Sequence, residues 1–186
     1  MKRTVENPWK IISSKVVYQS RFIKVVEDKV ITPEGKSGVH NLIFGGSASI
    51  GGVSIAAVNE SKEIYLVKQY RYAYQGYTLE LVAGGQKENE TPIRAAQKEL
   101  SEEAGLVAKK WTKYNEVWAA TESIRLKIHM FLAQDLNPSP ENFMGENKMK
   151  IVKVPLKEAV ALVMMGKIPL ASSALGILMV NNILEI

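Results

Sequence analysis

An α+β fold, with a mixed sheet sandwiched between helices, is what the order of elements in this 186-residue chain predicts. Three observations carry that expectation. The first half alternates apolar and polar residues at the two-residue period of strands and is punctuated by Pro/Gly turns. A single helical segment follows, opened by Thr91-Pro92 and closed by Gly105. The chain then returns to strand patterning before two apolar helical runs, so the elements do not alternate as a repeating βαβ barrel would require.

Taken in order, Lys15 to Phe44 reads as three short strands, with turns near Gln19-Ser20 and at Thr32 to Gly38, where Pro33 and Gly35 supply turn chemistry. These strands form a small antiparallel sheet, so residues 1–46 are expected to be an N-terminal β subdomain and 47–186 the main domain. "GGVSIAAVN" and "EIYLVKQYRYA" are strands around the turn "NESKE", and "YTLELVAG" is a strand ending at Gly84-Gly85. The helix begins with Thr91 as N-cap and Pro92 at the first helical position, continues through Ala95, Ala96, Gln97, Lys98, Glu99 and Leu100, and stops at Gly105. "EVWAA" and "LKIHMFLAQDL" are strands, Pro138 to Lys150 a loop, "VKVPL" a short strand, and two helices close the chain.

Composition excludes several classes of function. With 46% hydrophobic and 23% charged residues the chain is globular, and its length supports one core without staples. The absence of cysteine rules out disulfides, thiolate metal sites and a thiol nucleophile. That suits a reducing compartment, and the expected location is cytoplasmic. No apolar run follows the basic N-terminal residues, so no secretory signal is read there. The most apolar stretch, Glu158 to Leu184, is interrupted by Gly166-Lys167 and Pro169 and reads as two packed helices, not a membrane span. Net charge is +5, but lysines and arginines are scattered with no run longer than two, and no helix-turn-helix pattern is evident. Neither a nucleic acid nor a membrane is therefore an expected partner.

Against that basic background, "GGQKENETPIRAAQKELSEEAGLV" gathers five carboxylates. Glu99, Glu102 and Glu103 stand at i, i+3 and i+4 of the helix and share one face. Like charges so placed cost a few tenths of a kcal/mol per pair, at the helix end where the macrodipole also disfavours anions. One reading is a solvated face with Lys98 paired to Glu102. The other is a hard divalent cation held by carboxylate oxygens, next to a glycine pair that admits close backbone approach.

The same residues resemble the Nudix hydrolase box, G-x5-E-x7-R-E-U-x-E-E-x-G-U, with U a bulky aliphatic. Gly84, Glu90, Glu99, Leu100, Glu102, Glu103, Gly105 and Leu106 fall at the required spacings, and Lys98 occupies the arginine position. "QYR" at Gln69 to Arg71, "LELVAGG" from Leu79, the N-terminal strand pattern and "VPLKEAVALVMMGKI" are similar to the ADP-ribose and nucleoside-diphosphate-sugar pyrophosphatase branch. The resemblance implies a Nudix fold, an N-terminal sheet that helps build a homodimer, and metal-dependent hydrolysis of a nucleotide sugar to a mononucleotide and a sugar phosphate. Mg²⁺, or Mn²⁺ in its place, would be the cofactor.

Carried over residue by residue, Glu99 and Glu103 are the metal ligands, with the Ala83 carbonyl as an additional one. Glu102 shares a second metal or orients water. Gly84 gives close approach to the ligand. Glu90 closes the loop before the helix, and Lys98 and Gly105 complete the box structurally. Arg71 is the candidate contact to the diphosphate or terminal sugar. Glu80 bonds substrate or a neighbouring arginine. Phe22 stacks on the base or packs in the core, and His40 is a strand-edge residue or a base contact.

Three departures qualify the resemblance. An ammonium at Lys98 cannot hold a carboxylate bidentately as a guanidinium does, which implies a looser box and slower turnover with metal binding retained. Thr121 stands where ADP-ribose pyrophosphatases carry a proline, which ranks a broader nucleotide-sugar preference above ADP-ribose. The general base expected before "VKVP" falls in register on Asn147, so Glu146 is assigned as base with Glu141 in reserve. Two alternatives remain beside the pyrophosphatase: hydrolysis of a nucleoside triphosphate or dinucleotide polyphosphate, and a non-catalytic sensor of nucleotide sugars.

Overall fold

The computed structural model describes residues 6–46, 50–140 and 149–185. Three strands come first: β1 (Lys10–Gln19), β2 (Ile23–Ile31) and β3 (Ser37–Gly45), an antiparallel meander. They are followed by β4 (Gly51–Val58), β5 (Glu63–Arg71), β6 (Gly76–Gln86), α1 (Pro92–Ala104), β7 (Leu106–Ala120), β8 (Ile124–Pro138), β9 (Lys150–Pro155), α2 (Leu156–Met164) and α3 (Ala171–Ile183). The strands make one mixed sheet in the order β1-β2-β3-β8-β4-β6-β5-β9, with β7 paired to β8. This is the α+β sandwich that the element order predicts.

Strand β8 organises the sheet. It pairs in parallel first with β3, at Ile43↔Ile124 and Phe44↔Arg125, and then with β4, from Gly52↔Ile128 to Ala57↔Ala133. The meander is thus attached to the rest of the sheet through two residue pairs, not set apart from it. The turn between β1 and β2 is pressed onto the chain leaving β3: the Gly46 N–H donates to the Phe22 carbonyl at 2.8 Å, and a Cβ on Gly46 would lie 2.5 Å from the Arg21 carbonyl oxygen.

Alternation along the central strands produces two cores. Val53, Ile55 and Ala57 of β4, Val67, Val82, Phe131 and Ala133 point toward Ala95, Ala96 and Leu100 of α1. Ala56, Val58, Ile64, Leu66, Leu81 and Leu132 point the other way, to Leu156, Ala159, Ile177 and Val180 of α2 and α3. Burial on both faces explains why β4 reads as a near-continuous apolar run. Packing is tight where α3 crosses β6. The Ser173 hydroxyl accepts from the Leu81 N–H at 3.0 Å, and a Cβ on Gly176 would lie 2.6 Å from Leu81 Cδ1 and 2.9 Å from the Tyr114 hydroxyl.

The boundaries of α1 match the expected ones. Thr91 Oγ1 accepts from the Arg94 N–H, and Gly105, at φ 63°, donates its N–H to the carbonyls of Leu100 and Ser101. Other boundaries differ from the expectation. Strand β7 begins at Leu106 directly after the helix, ten residues before the expected Glu116, because its outward lysines hide the alternation. Strand β1 begins at Lys10 instead of Lys15, and Leu156 opens α2 instead of closing a strand. The apolar C-terminal stretch forms two helices, and among the described residues no helix is long and apolar enough to cross a membrane.

Gly176→Ala is expected to destabilise the fold by about 1–3 kcal/mol through overpacking. Chemical denaturation of the two proteins measures this; equal midpoints would show that α3 can shift without cost.

Candidate active site

The acidic edge of α1 lies on the last residues of β6. Ala95, Ala96 and Leu100 are fully buried against the sheet, and the small alanines let the helix approach it closely. Two consecutive residues of β6 then receive two carboxylates. Ala83 donates its N–H to Glu103 Oε2 at 3.2 Å. The Glu99 carboxyl occupies the space that a Cβ on Gly84 would fill. Only glycine leaves that space open, which is the physical reason for the residue there.

Burial pushes the Glu103 carboxyl up to about 7. The Ala83 N–H and the Arg71 charge oppose this, and the charges of Glu99 and Glu80 reinforce it. Glu99 is likewise raised by burial, with Glu102 and Glu90 adding and Lys98 and Lys87 opposing. Glu102 faces outward and pairs with Lys98 at 3.3 Å. Burial alone would lower the Lys98 ammonium, but the charges of Glu102, Glu99 and Glu90 and the Glu102 hydrogen bond hold it above its ordinary value. The pairing read at i, i+4 is present.

Arg71 and Glu80 form a second unit beside Glu103. Arg71 donates from Nε to Glu80 Oε1 at 2.9 Å and from Nη2 to Oε2, and Thr78 donates to Oε1 at 2.6 Å. Burial pushes Glu80 up, but these bonds and the guanidinium charge more than offset it, so Glu80 lies below the ordinary carboxylate range. The hydrogen bond to Glu80 raises Arg71 in turn. Arg71 is half-exposed, so the buried Glu80 orients a guanidinium that is partly open to solvent.

Glu90 closes the loop before α1. It accepts the Lys87 N–H on Oε2 at 3.3 Å, and its own carbonyl accepts from Gln86 Nε2 at 2.8 Å. Phe22 is exposed on the β1–β2 turn, under the Arg21 guanidinium at 4.7 Å, and not in the core. His40 is not brought to the acidic edge. It stacks on Trp9, three residues beyond the end of the β3–β8 pairing. Thr121 lies between β7 and β8, while Glu141, Glu146 and Asn147 fall outside the described residues.

A cavity of about 490 Å³ adjoins Gln86, two residues beyond Gly84, and was not foreseen from the sequence. Phe44, Gly51, Trp118, Arg125, Lys127 and His129 line it. The signal was present at Arg125, Lys127 and His129, which recur at the strand period and so share one face of β8.

The donor set suits a hard divalent ion: oxygen ligands only, two of them on carboxylates that burial pushes toward neutrality. Among the described residues, no three acidic, histidine or cysteine side chains converge into a finished metal site. A site built from one or two carboxylates and completed by substrate phosphates needs no third.

Comparison with known proteins agrees with this geometry. Residues 49–167 match the NUDIX domain and residues 9–43 match the nucleoside diphosphate sugar hydrolase N-terminal domain. The chain belongs to the Nudix family and is a Nudix hydrolase. It is 28% identical to the ADP-ribose pyrophosphatase of Bacillus subtilis over 156 residues, 83% of this chain and 82% of that protein. It is 28% identical to the ADP-ribose pyrophosphatase of Mycobacterium tuberculosis over 181 residues, covering 96% and 86%. A crystal structure of an ADP compounds hydrolase superposes with a TM-score of 0.81 at 21% identity, covering 95% of this chain and 94% of that one, which fixes the fold.

A carboxyl raised from 4.5 to about 7 binds its proton more tightly folded than unfolded. Stability of the metal-free protein is therefore lost as pH rises from about 4.5 through about 7, by on the order of 3 kcal/mol from this group. Glu103→Gln is expected to raise the melting temperature in chelator at pH 8 and to have little effect at pH 4.5. Equal melting of the two proteins at pH 8 would show that the carboxylate carries no such penalty.

Proposed function

We propose that this protein hydrolyses the pyrophosphate bond of nucleoside diphosphate sugars, ADP-ribose among them, to a nucleoside monophosphate and a sugar phosphate with Mg²⁺ or Mn²⁺. The observation that carries the reading is the pair of buried carboxylates on Ala83 and Gly84, with the oriented Arg71 guanidinium beside them. Glu99 and Glu103, with the Ala83 main chain, would hold the metal, which supplies charge neutralisation at the phosphates and a more acidic water. Arg71 binds diphosphate oxygens, and Glu80 fixes its direction. Glu102, anchored by Lys98, orients water from the outer side of the helix. Water oxygen attacks phosphorus, the bridging P–O bond breaks, and Glu146 takes the water proton. The names of the relatives support ADP-ribose as a substrate, and Thr121 supports a wider range.

A panel of ADP-ribose, GDP-mannose, UDP-glucose, ADP-glucose and a triphosphate, with and without Mg²⁺, tests this by product analysis. Metal-dependent release of mononucleotide and sugar phosphate is expected, and Glu103→Gln should cut turnover by about two orders of magnitude or more. Pyrophosphate release from the triphosphate alone would favour the nucleotide pyrophosphohydrolase, and binding without cleavage would favour a sensor. Glu146→Gln should slow turnover with metal affinity kept; if Glu141→Gln does so instead, Glu141 is the base.

The same reading makes the protein a cytoplasmic homodimer built through residues 1–46. Strand β1 is a sheet edge exposed along its whole length, with Ile11, Ile12, Val16, Val17 and Tyr18 each about half exposed. Such an edge is normally covered. Light scattering should give a dimer, and Ile12→Lys with Val16→Lys a monomer; a wild-type monomer would remove the assignment. Cell fractionation checks the location.

A further inference from the structure

The groove beside Gln86 carries charge of the opposite sign to the acidic edge it adjoins. Arg125, Lys127 and His129 line it, with Phe44 and Trp118 as aromatic walls, and among the described residues no carboxylate does. Lys127 Nζ lies 5.2 Å over Trp118 and donates to Glu116 Oε1 at 2.6 Å. Lys113 Nζ and His129 Nδ1 approach the other oxygen of Glu116, at 3.0 and 3.1 Å. The Lys127 and Lys113 bonds hold Glu116 down to about 2, so it stays ionised. Burial and the Lys113 charge hold His129 below its ordinary value, so it adds no fixed charge at neutral pH. Arg125 lies over Phe44 at 5.6 Å and has no hydrogen bond or ion pair among the described residues. Against the one carboxylate stand Arg125, Lys113 and Lys127, so the groove keeps a positive excess.

The groove opens on the same face of the sheet as α1. Gly84 pairs with Val53, and Val53 with His129. Paired residues share a face, and His129 alternates with Phe131, which packs against α1. With strands about 4.8 Å apart, His129 is roughly 10 Å from Gly84 across the sheet. Lys127 and Arg125 lie two and four residues further back along β8, or about 7 and 13 Å. Trp118 and Arg125 separate the groove from a second cavity, of about 360 Å³, between the meander and the β7–β8 turn. A ligand whose diphosphate lies at the acidic edge thus meets Lys127 and Arg125 with what lies beyond the diphosphate.

We infer that this groove binds an anionic group on the sugar side of the substrate, so that nucleoside diphosphates of acidic sugars are preferred over those of neutral ones. The inference rests on the pyrophosphatase reading and names the substrate class of that site. A carboxylate on the sugar and a phosphate on the sugar present the same chemistry: oxygens that accept from the Arg125 guanidinium in a bidentate pair and from the Lys127 ammonium. An ammonium has three donors, so Lys127 can keep its bond to Glu116 and still bind a ligand. Phe44 and Trp118 keep water from one side of each cation, which strengthens such bonds. The two charged zones divide the substrate. Glu99 and Glu103 repel an anion that brings no metal, so the diphosphate goes there with its ion, and a second anionic group is drawn to the groove.

Two matched pairs of ligands that differ by one anionic group on the sugar test this: UDP-glucuronate with UDP-glucose, and ADP-ribose 1″-phosphate with ADP-ribose. Calorimetry on full-length Glu103→Gln protein with Mg²⁺ reads their affinities while turnover is slow. The acidic member of at least one pair should bind about tenfold or more tightly than its neutral partner. Preference in the first pair identifies a carboxylate as the ligand group, and preference in the second a phosphate. Adding Arg125→Gln and Lys127→Gln should bring the ratio close to one, and Lys127→Gln alone should lower it. Lys157→Gln, an exposed charge removed from α2 on the other face of the sheet, should leave the ratio as it was. Equal binding within both pairs would overturn the proposal. So would a ratio that survives the double change in a folded protein, or one that Lys157→Gln lowers as much. Equal loss of acidic and neutral ligands in the double variant would also overturn it, because the groove would then hold the diphosphate itself. Because the ratio is read without cleavage, tight selective binding with no hydrolysis by the wild-type protein would sink the pyrophosphatase reading alone, and hydrolysis with no preference would sink this one alone.

Discussion

The arrangement depends on the contact between the acidic edge of α1 and the end of β6. Glu99 can lie over Gly84 only because that residue has no Cβ, and Glu103 reaches Ala83 only because Ala95 and Ala96 let the helix sit close to the sheet. The rest of the helix serves this contact. Thr91 and Pro92 set where it begins, Gly105 ends it one residue after Ala104, and Ser101 ties its last turn to Ser139 beyond β8 through a 2.6 Å hydroxyl pair. Two carboxylates are held partly desolvated near a helix C-terminus, where charge, burial and dipole all oppose them. A fold optimised for stability alone would not place them there, and that makes the contact functional in character.

Two of the cations in the neighbourhood are already committed. Lys98 pairs with Glu102 on the outer side, and Arg71 is locked to buried Glu80. Arginine at position 98 could have bridged two carboxylates at once; the lysine reaches one. The socket therefore stays anionic within a chain of net charge +5. The sequence raises the question of why a basic protein concentrates acid in one segment. In the proposed reading, a positive ion and the phosphates it carries would complete the charge balance there.

How much of this was legible in the sequence depends on how local each feature is. Helix α1 and its caps were readable because every signal lies within the segment, and the box residues were readable for the same reason. Strand β4 was readable as an apolar run because both of its faces are buried. The first ten residues of β7 were not, because Lys109, Lys110 and Lys113 face outward and only its pairing with β8 keeps it extended. The Arg71–Glu80 bond is a diagonal across the β5–β6 hairpin: Arg71 pairs with Gly76 and Glu80 with Val67, so the contact needs the register and not the residue types alone. The groove beside Gln86 draws on β3, β4, β6, β7 and β8 and could be assembled only once the sheet order was known. His40 was read as a strand-edge residue or a base contact, and the collinear placement of β3 and β4 along β8 keeps it away from the box.

That collinearity also explains how the meander can matter to the half that carries α1 while touching it so little. Parallel pairing of β3 with β8 covers only Ile43 and Phe44, which cannot by itself fix the tilt of three strands. The tilt is fixed at two further points: Gly46, clamped against Arg21 and Phe22, and the β7–β8 turn, which closes over His40 and Asp28. Arg125 sits where these constraints meet. Its guanidinium lies 5.6 Å over Phe44, the residue paired with it across the parallel junction, and it lines both cavities. A shift of the meander must therefore move Arg125 or break its contact with Phe44. Either change reaches the groove beside Gln86, because packed side chains transmit displacement and do not absorb it. The N-terminal strands are in this sense part of the wall of the groove beside Gln86, to which β3 contributes Phe44.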